Sequence, residues 1–100
     1  MKIVKKTNGN EVTLTLEGRL DTSTAPELES ALSDIPSSVK KLILDFAKLE
    51  YVSSAGLRVI LTAQKSMNAR AGKLVVVKAN DVVRDVFDVT GFSSFITLEK

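Results

Sequence analysis

Val12, Leu14 and Leu16 alternate with Thr13, Thr15 and Glu17. This is the two-residue period of a strand with one face buried and one wet. Ahead of it, Met1 to Lys5 reads as a short edge strand, with Asn8-Gly9-Asn10 as its turn. Behind it, Gly18-Arg19-Leu20-Asp21 leaves the strand. Thr22-Ser23-Thr24 then offers hydroxyls suited to capping a helix, with Pro26 near the first turn. Ala25, Leu28, Ala31, Leu32 and Ile35 give that helix one apolar face, and Pro36-Ser37-Ser38 stops it.

The pattern then changes. Val39 to Phe46 contains Leu42-Ile43-Leu44, apolar at consecutive positions, which predicts a central strand covered on both faces, with Asp45 near its end. A short loop should pass the chain into a helix running from around Ala55 to about Ala71. Leu57, Ile60, Leu61, Gln64 and Met67 or Asn68 recur there at three and four, and Gly72 is its expected stop. Leu74-Val75-Val76-Val77 reads as a second fully apolar strand. Asn80 or Asp81 can cap a third helix bearing Val82, Val83, Val86, Phe87 and Val89. Thr90-Gly91 ends it, and Phe95-Ile96-Thr97-Leu98 reads as a last short strand. The order β-β-α-β-α-β-α-β predicts an α/β fold, a mixed sheet of about five strands with three main helices. The later strands should be parallel, joined by right-handed crossovers. Residues 1–100 are expected to form one domain, with no repeat or linker.

Composition narrows the chemistry. A hydrophobic fraction of 44% is ordinary for a globular chain. No apolar run approaches the roughly 20 residues needed to cross a bilayer. Met1-Lys2-Ile3-Val4-Lys5-Lys6 is charged without the apolar core of a signal peptide, which points to the cytoplasm and away from membranes. The sequence holds neither Cys nor His. Disulfides, thiolate chemistry and the Ser-His-Asp type of hydrolase are thereby excluded, and a zinc site is not expected. The formal charge of +2 comes from scattered residues, and the aromatics are four Phe and one Tyr. A nucleic-acid footprint needs clustered cations with stacking rings, so none is expected. There is no Gly-rich phosphate cradle or nucleotide motif either. The expectation is a non-enzyme without cofactor, monomeric by default at this size.

One stretch stands out. Leu49-Glu50-Tyr51-Val52-Ser53-Ser54-Ala55-Gly56-Leu57 puts two adjacent hydroxyls where a strand hands over to a helix. The first turn of a helix has N–H groups without intrahelical partners, and Ser is a preferred cap there. The helix dipole also makes the place hospitable to negative charge. A serine here can be a plain cap or a hydroxyl that receives a phosphate.

Three stretches together resemble the STAS domain, a module shared by sulfate transporters and anti-sigma factor antagonists. They are Leu16-Glu17-Gly18-Arg19-Leu20-Asp21 with Thr24-Ala25, then Leu44-Asp45-Phe46 through Leu61, centred on Tyr51 to Leu57, and Val86-Phe87-Asp88-Val89-Thr90-Gly91-Phe92. They span essentially the whole chain in the expected order, the central one being the most specific. Small free-standing members are anti-sigma factor antagonists. The resemblance implies a partner-switching cycle. The unmodified antagonist binds an anti-sigma factor that is also a serine kinase and frees the sigma factor; phosphorylation dissociates the complex, and a serine phosphatase resets it. In family sequences the modified serine lies two residues before the Gly of Gly-Leu, here Ser54, with Ser53 the alternative. Many members have Asp where this chain has Ser53. The partner-binding surface implied is Asp21, Thr22, Ser53, Ser54, Ala55, Gly56 and Arg58.

Each of these residues also has a plainer reading. Asp21 suits a turn stabilised by its own side chain. Gly56 suits a tight turn or close internal packing, and Arg58 a solvated helix position. Asp45 suits turn or cap service, Asp88 faces solvent, and Phe92 belongs to the core. The competing function is a STAS scaffold subunit whose serine is never modified.

Overall fold

A computed structural model describes residues 1–99. Strand β1 (Lys2–Asn8) folds back antiparallel on β2 (Glu11–Leu20), three residues longer than the expected end at Lys5. Gly9 takes the left-handed conformation of the turn, φ 63°. Helix α1 (Ala25–Ser33) leads to β3 (Lys41–Val52), α2 (Ser54–Ala69) to β4 (Lys73–Val77), and α3 (Asp81–Val89) to β5 (Thr97–Glu99). The five-stranded sheet has the order β1-β2-β3-β4-β5, and β2 to β5 are parallel neighbours.

Each crossover helix steps to the next strand in the same direction, so right-handed crossovers put α1, α2 and α3 on one face of the sheet. The core agrees with this. Leu28, Leu57, Ile60, Met67, Val83 and Phe87 from the helices share one cluster with Val12, Leu14, Leu42, Leu44, Leu74 and Val76 from the strands. Phe46 meets Phe87 edge-on, ring centroids 6.5 Å apart. The opposite face is left open, which corrects the expectation of a sheet covered on both sides. Ile43 is only half-buried. Val75 is buried but stands outside the common core, between Ile43 and Thr97 of the adjacent strands. Cross-strand neighbours, not a second layer, account for those consecutive apolar residues.

The other main departure is β3. It runs on to Val52, so Asp45 lies inside it and the expected loop is mostly strand. Pairing with β2 shifts register twice, between Thr15 and Glu17 and between Gly18 and Arg19. At the first shift Asp45 Oδ1 accepts the Ala47 N–H at 3.0 Å; at the second, Gly18 adopts φ 107°. Such bulges break strict alternation, so Phe46 and Leu49 are both buried although three apart. For the same reason β2 continues through Leu20 instead of leaving the sheet at Gly18.

At the end of α2 the left-handed residue is Ala71, φ 56°, not Gly72. Gly72 is small for another reason: a Cβ there would stand 2.8 Å from the Lys40 carbonyl oxygen and 2.8 Å from Met67 Cε. The last expected strand is shorter and later. A 3-10 turn, Phe92–Ser94, precedes buried Ile96 and β5.

Candidate functional site

In this topology the helices all start at the carboxyl ends of parallel strands, and that edge gathers the candidate residues. Leu20 pairs with Val52 across β2 and β3, and the Ser53 N–H donates to the Leu20 carbonyl at 2.8 Å. The turn beginning at Asp21 is thus held against the start of α2.

Ser53 is the cap of α2. Its backbone is extended, φ −97° and ψ 174°, and its Oγ accepts the Gly56 N–H at 3.4 Å. The Ser53 carbonyl accepts the Leu57 N–H at 2.9 Å. Ser54 follows as the first helical residue, exposed, with the capping role already taken by its neighbour. Ala55 is half-buried and Arg58 exposed.

Of its two readings, partner contact or close internal packing, Gly56 has the geometry of the second. It is buried, and a Cβ there would lie 2.5 Å from Leu20 Cγ, 2.9 Å from Leu20 Cδ2 and 3.0 Å from Val52 Cγ2. The missing side chain lets α2 begin close upon β2 and β3. On its inner face α2 buries Leu57, Val59, Ile60, Ala63 and Met67. Leu61 and Gln64, which the spacing places on that face, are half-buried, and Val59 and Ala63 are buried beside it.

Asp21 is built into its turn. Its Oδ1 accepts the Ser23 hydroxyl at 2.7 Å, the Ser23 N–H at 3.0 Å and the Thr24 N–H at 3.2 Å. Thr24 Oγ1 accepts the Asp21 N–H at 2.8 Å and donates to the Arg19 carbonyl at 2.8 Å. The hydroxyls of this segment therefore tie the turn and do not cap α1, whose N-cap Thr24 makes no side-chain cap bond. Thr22 is exposed. The hydrogen bond from the Ser23 hydroxyl, helped by the N–H groups of Thr24 and Ser23, holds the Asp21 carboxyl below its ordinary pKa against a smaller opposing desolvation. At neutral pH this position carries a fixed negative charge.

Two further residues complete the surface, and sequence spacing did not single them out. Arg19 stacks its guanidinium over the Tyr51 ring, 4.7 Å from the centroid, and its Nε stands 4.0 Å from Asp21 Oδ2. The pair faces across the sheet because Arg19 lies opposite Tyr51 after the second register shift. Only the bulges create that match. The edge therefore displays a cation on an aromatic platform, an ordered carboxylate, and an exposed hydroxyl at a helix start. None of the described helices is long and apolar enough to cross a membrane.

The STAS domain family profile matches residues 2–100, and the chain belongs to that family. BtrV of Bordetella bronchiseptica, named as a candidate anti-sigma factor antagonist, is 36% identical over 80 residues, 79% of this chain and 69% of the relative. The anti-sigma-B factor antagonist of Listeria monocytogenes is 29% identical over 99 residues, 96% of this chain and 85% of the relative. Among solved structures, the anti-sigma factor antagonist SpoIIAA in its unphosphorylated form superposes with TM-score 0.85 at 20% identity, over 99% of this chain and 89% of that one. The phosphorylated form of SpoIIAA, a Bacillus cell fate determinant, gives 0.77 at 20% identity, over 99% and 92%. These structural likenesses establish the fold.

Proposed function

We propose that this chain is an anti-sigma factor antagonist that works by partner switching. In its unphosphorylated state it binds an anti-sigma factor that is also a serine kinase, and the sigma factor is released. The kinase transfers a phosphoryl group to the Ser54 oxygen, ADP leaves, and the complex separates. A serine phosphatase restores the first state. The chain acts by binding and not by catalysis, as a cytoplasmic monomer without cofactor or nucleic-acid partner.

The observation that carries the reading is the exposed, non-capping hydroxyl of Ser54 at the first position of α2, beside the ordered Asp21 turn. The names of the Bordetella and Listeria relatives support it from outside. A phosphoserine adds about −1.5 to −2 charges, against a formal chain charge of +2. The start of α2 tolerates that charge, since the dipole there is positive. Asp21 already contributes a negative charge nearby, so a partner shaped to accept this edge meets a much more negative surface after modification. A coupling of about 3 kcal/mol would change affinity roughly 150-fold. Asp21, Thr22, Ser53, Ala55 and Arg58 flank the hydroxyl as contacts, and Arg19 on Tyr51 extends them.

Incubation with the cognate kinase and ATP, followed by mass spectrometry, is the direct test. The phosphate is expected on Ser54. Ser54→Ala should abolish it and keep partner binding, while Ser54→Glu should weaken binding. A phosphate on Ser53 would move the switch by one residue. Binding that ignores kinase treatment would support the constitutive scaffold instead.

A further inference from the structure

We propose that α3 carries a second protein-docking face, fitted to a basic amphipathic helix of a partner and independent of the state of Ser54. The helix is apolar over too wide an arc for the core alone. Val83 and Phe87 point inward and are fully buried. Val82, Val86 and Val89 form another row, because successive residues turn by roughly 100° and spacings of four and three return to one side. Val86, the middle of the row, is half-buried and packs against the core, but the two ends are open: Val82 is 54% exposed and Val89 87%. Phe95, 62% exposed, follows on the 3-10 turn that packs against α3, and its ring stands edge-on to Phe92 with centroids 6.4 Å apart. Among the described residues these are the exposed large hydrophobics, and they all fall between positions 82 and 95.

Charge says what covers them. Asp81, Asp85 and Asp88 repeat the same four-and-three spacing one step around the helix, and all are exposed. Among the described residues none of them joins a salt bridge; the ion pairs are Lys2 with Glu17 and Arg19 with Asp21. The cation of α3, Arg84, lies beyond the aspartates on the side away from the valines. A positively charged chain thus shows a valine row with a row of three exposed aspartates beside it, with one cation, Arg84, on their far side. Rows at this spacing are the ridges by which helices interlock. A partner helix with an apolar row flanked by Lys or Arg matches both ridges at once. A second copy of this chain does not, because a two-fold contact through α3 would oppose aspartate rows. An anionic membrane is disfavoured by the same row. The platform is fixed: Asn80 caps α3 by accepting the Val83 N–H at 2.8 Å, and its Nδ2 donates to the Leu49 carbonyl at 3.0 Å.

The test is an NMR titration of the full-length, isotope-labelled protein. The probe is a synthetic helix of about 18 residues, long enough to be helical, with leucines in one row and lysines in the next. A control peptide replaces the lysines by glutamates. Amide shifts confined to residues 81–95 are expected, with a dissociation constant at least about tenfold lower for the lysine peptide than for its control. The double variant V82S/V89S should weaken binding at least about tenfold. Should it prove unstable, D85K/D88K keeps the apolar row and should invert the preference between the two peptides. S54E should bind the lysine peptide as wild type does, which separates this face from the phosphorylation switch. No binding, shifts centred elsewhere, equal affinity for both peptides, or capture by anionic vesicles through residues 81–95 would each overturn the proposal.

Discussion

Replacing Gly56 with Ala tests whether the start of α2 is set by close packing on β2. The new methyl carbon would sit 2.5 Å from Leu20 Cγ and 3.0 Å from Val52 Cγ2. Neither neighbour can step aside into solvent, because both are fully buried. Overpacking of this kind costs about 1–3 kcal/mol. Alanine returns up to about 1 kcal/mol of helix propensity, less in a first turn. The net expectation is a loss of about 1–2 kcal/mol, or a melting temperature lower by about 5–15 °C for a domain of this size. Urea unfolding followed by circular dichroism should show a lower midpoint with an unchanged slope. Gly72→Ala is the matched control, since its methyl would meet the Lys40 carbonyl oxygen at 2.8 Å far from Ser54. Both variants should lose stability, but only Gly56→Ala shifts Ser54 relative to Asp21, so only it should slow phosphorylation in the folded protein. A Gly56→Ala protein as stable as wild type would refute the reasoning, because α2 would then have room to spare.

The remaining predictions concern the residues around that contact. Ser53→Ala should cost about 0.5–1 kcal/mol by removing the cap, whereas Ser54→Ala should stay within about 0.5 kcal/mol; denaturant midpoints compare them. Asp21 has a lower pKa folded than unfolded, so its contribution to stability is present above the ordinary carboxylate value of 3.8 and lost as pH falls through the folded value. Unfolding midpoints should therefore drop below about pH 4, and Asp21→Asn should flatten that acid limb while leaving the neutral range level. Arg19→Glu places like charge beside Asp21 and removes the stack on Tyr51. It should weaken binding of the anti-sigma factor in calorimetry, with Arg19→Lys restoring part of the affinity. Equal affinities for wild type and Arg19→Glu would remove that residue from the interface.

The element order was legible because period-two and period-three-to-four patterns are strong in β2, α1 and α3. The turn glycines at positions 9 and 91 also carry the left-handed angles expected of them, φ 63° and 80°. What stayed hidden had physical causes. The bulges of β2 and β3 spoil alternation, so the strand beyond Phe46 reads as loop, and the pairing of Arg19 with Tyr51 cannot be read. A run of consecutive apolar residues looks the same whether a second layer or a neighbouring strand covers it, which is why Ile43 and Val75 suggested two buried faces. The Ser-Ser step was visible as chemistry, but not which hydroxyl caps, since that turns on one residue of helix boundary.

That boundary matters for how a switch here can work. If Ser54 were the cap, a phosphate would displace the bond that closes the helix, and modification would act partly by fraying α2. With Ser53 in that role, a phosphate on Ser54 leaves both the cap and the Ser53 carbonyl bond to Leu57 in place. Directly behind it, Gly56 is wedged on Leu20 and Val52 in the core, so the helix start has no slack through which added charge could reshape the sheet. The modification must then be felt outward, as charge and bulk against whatever covers the edge, and inward only as small changes in the amides nearest residues 21–24 and 53–58. Amide shifts of the phosphorylated protein spreading through β4 and α3 would show instead that the core transmits the signal, and the packing around Gly56 could not then be what confines it.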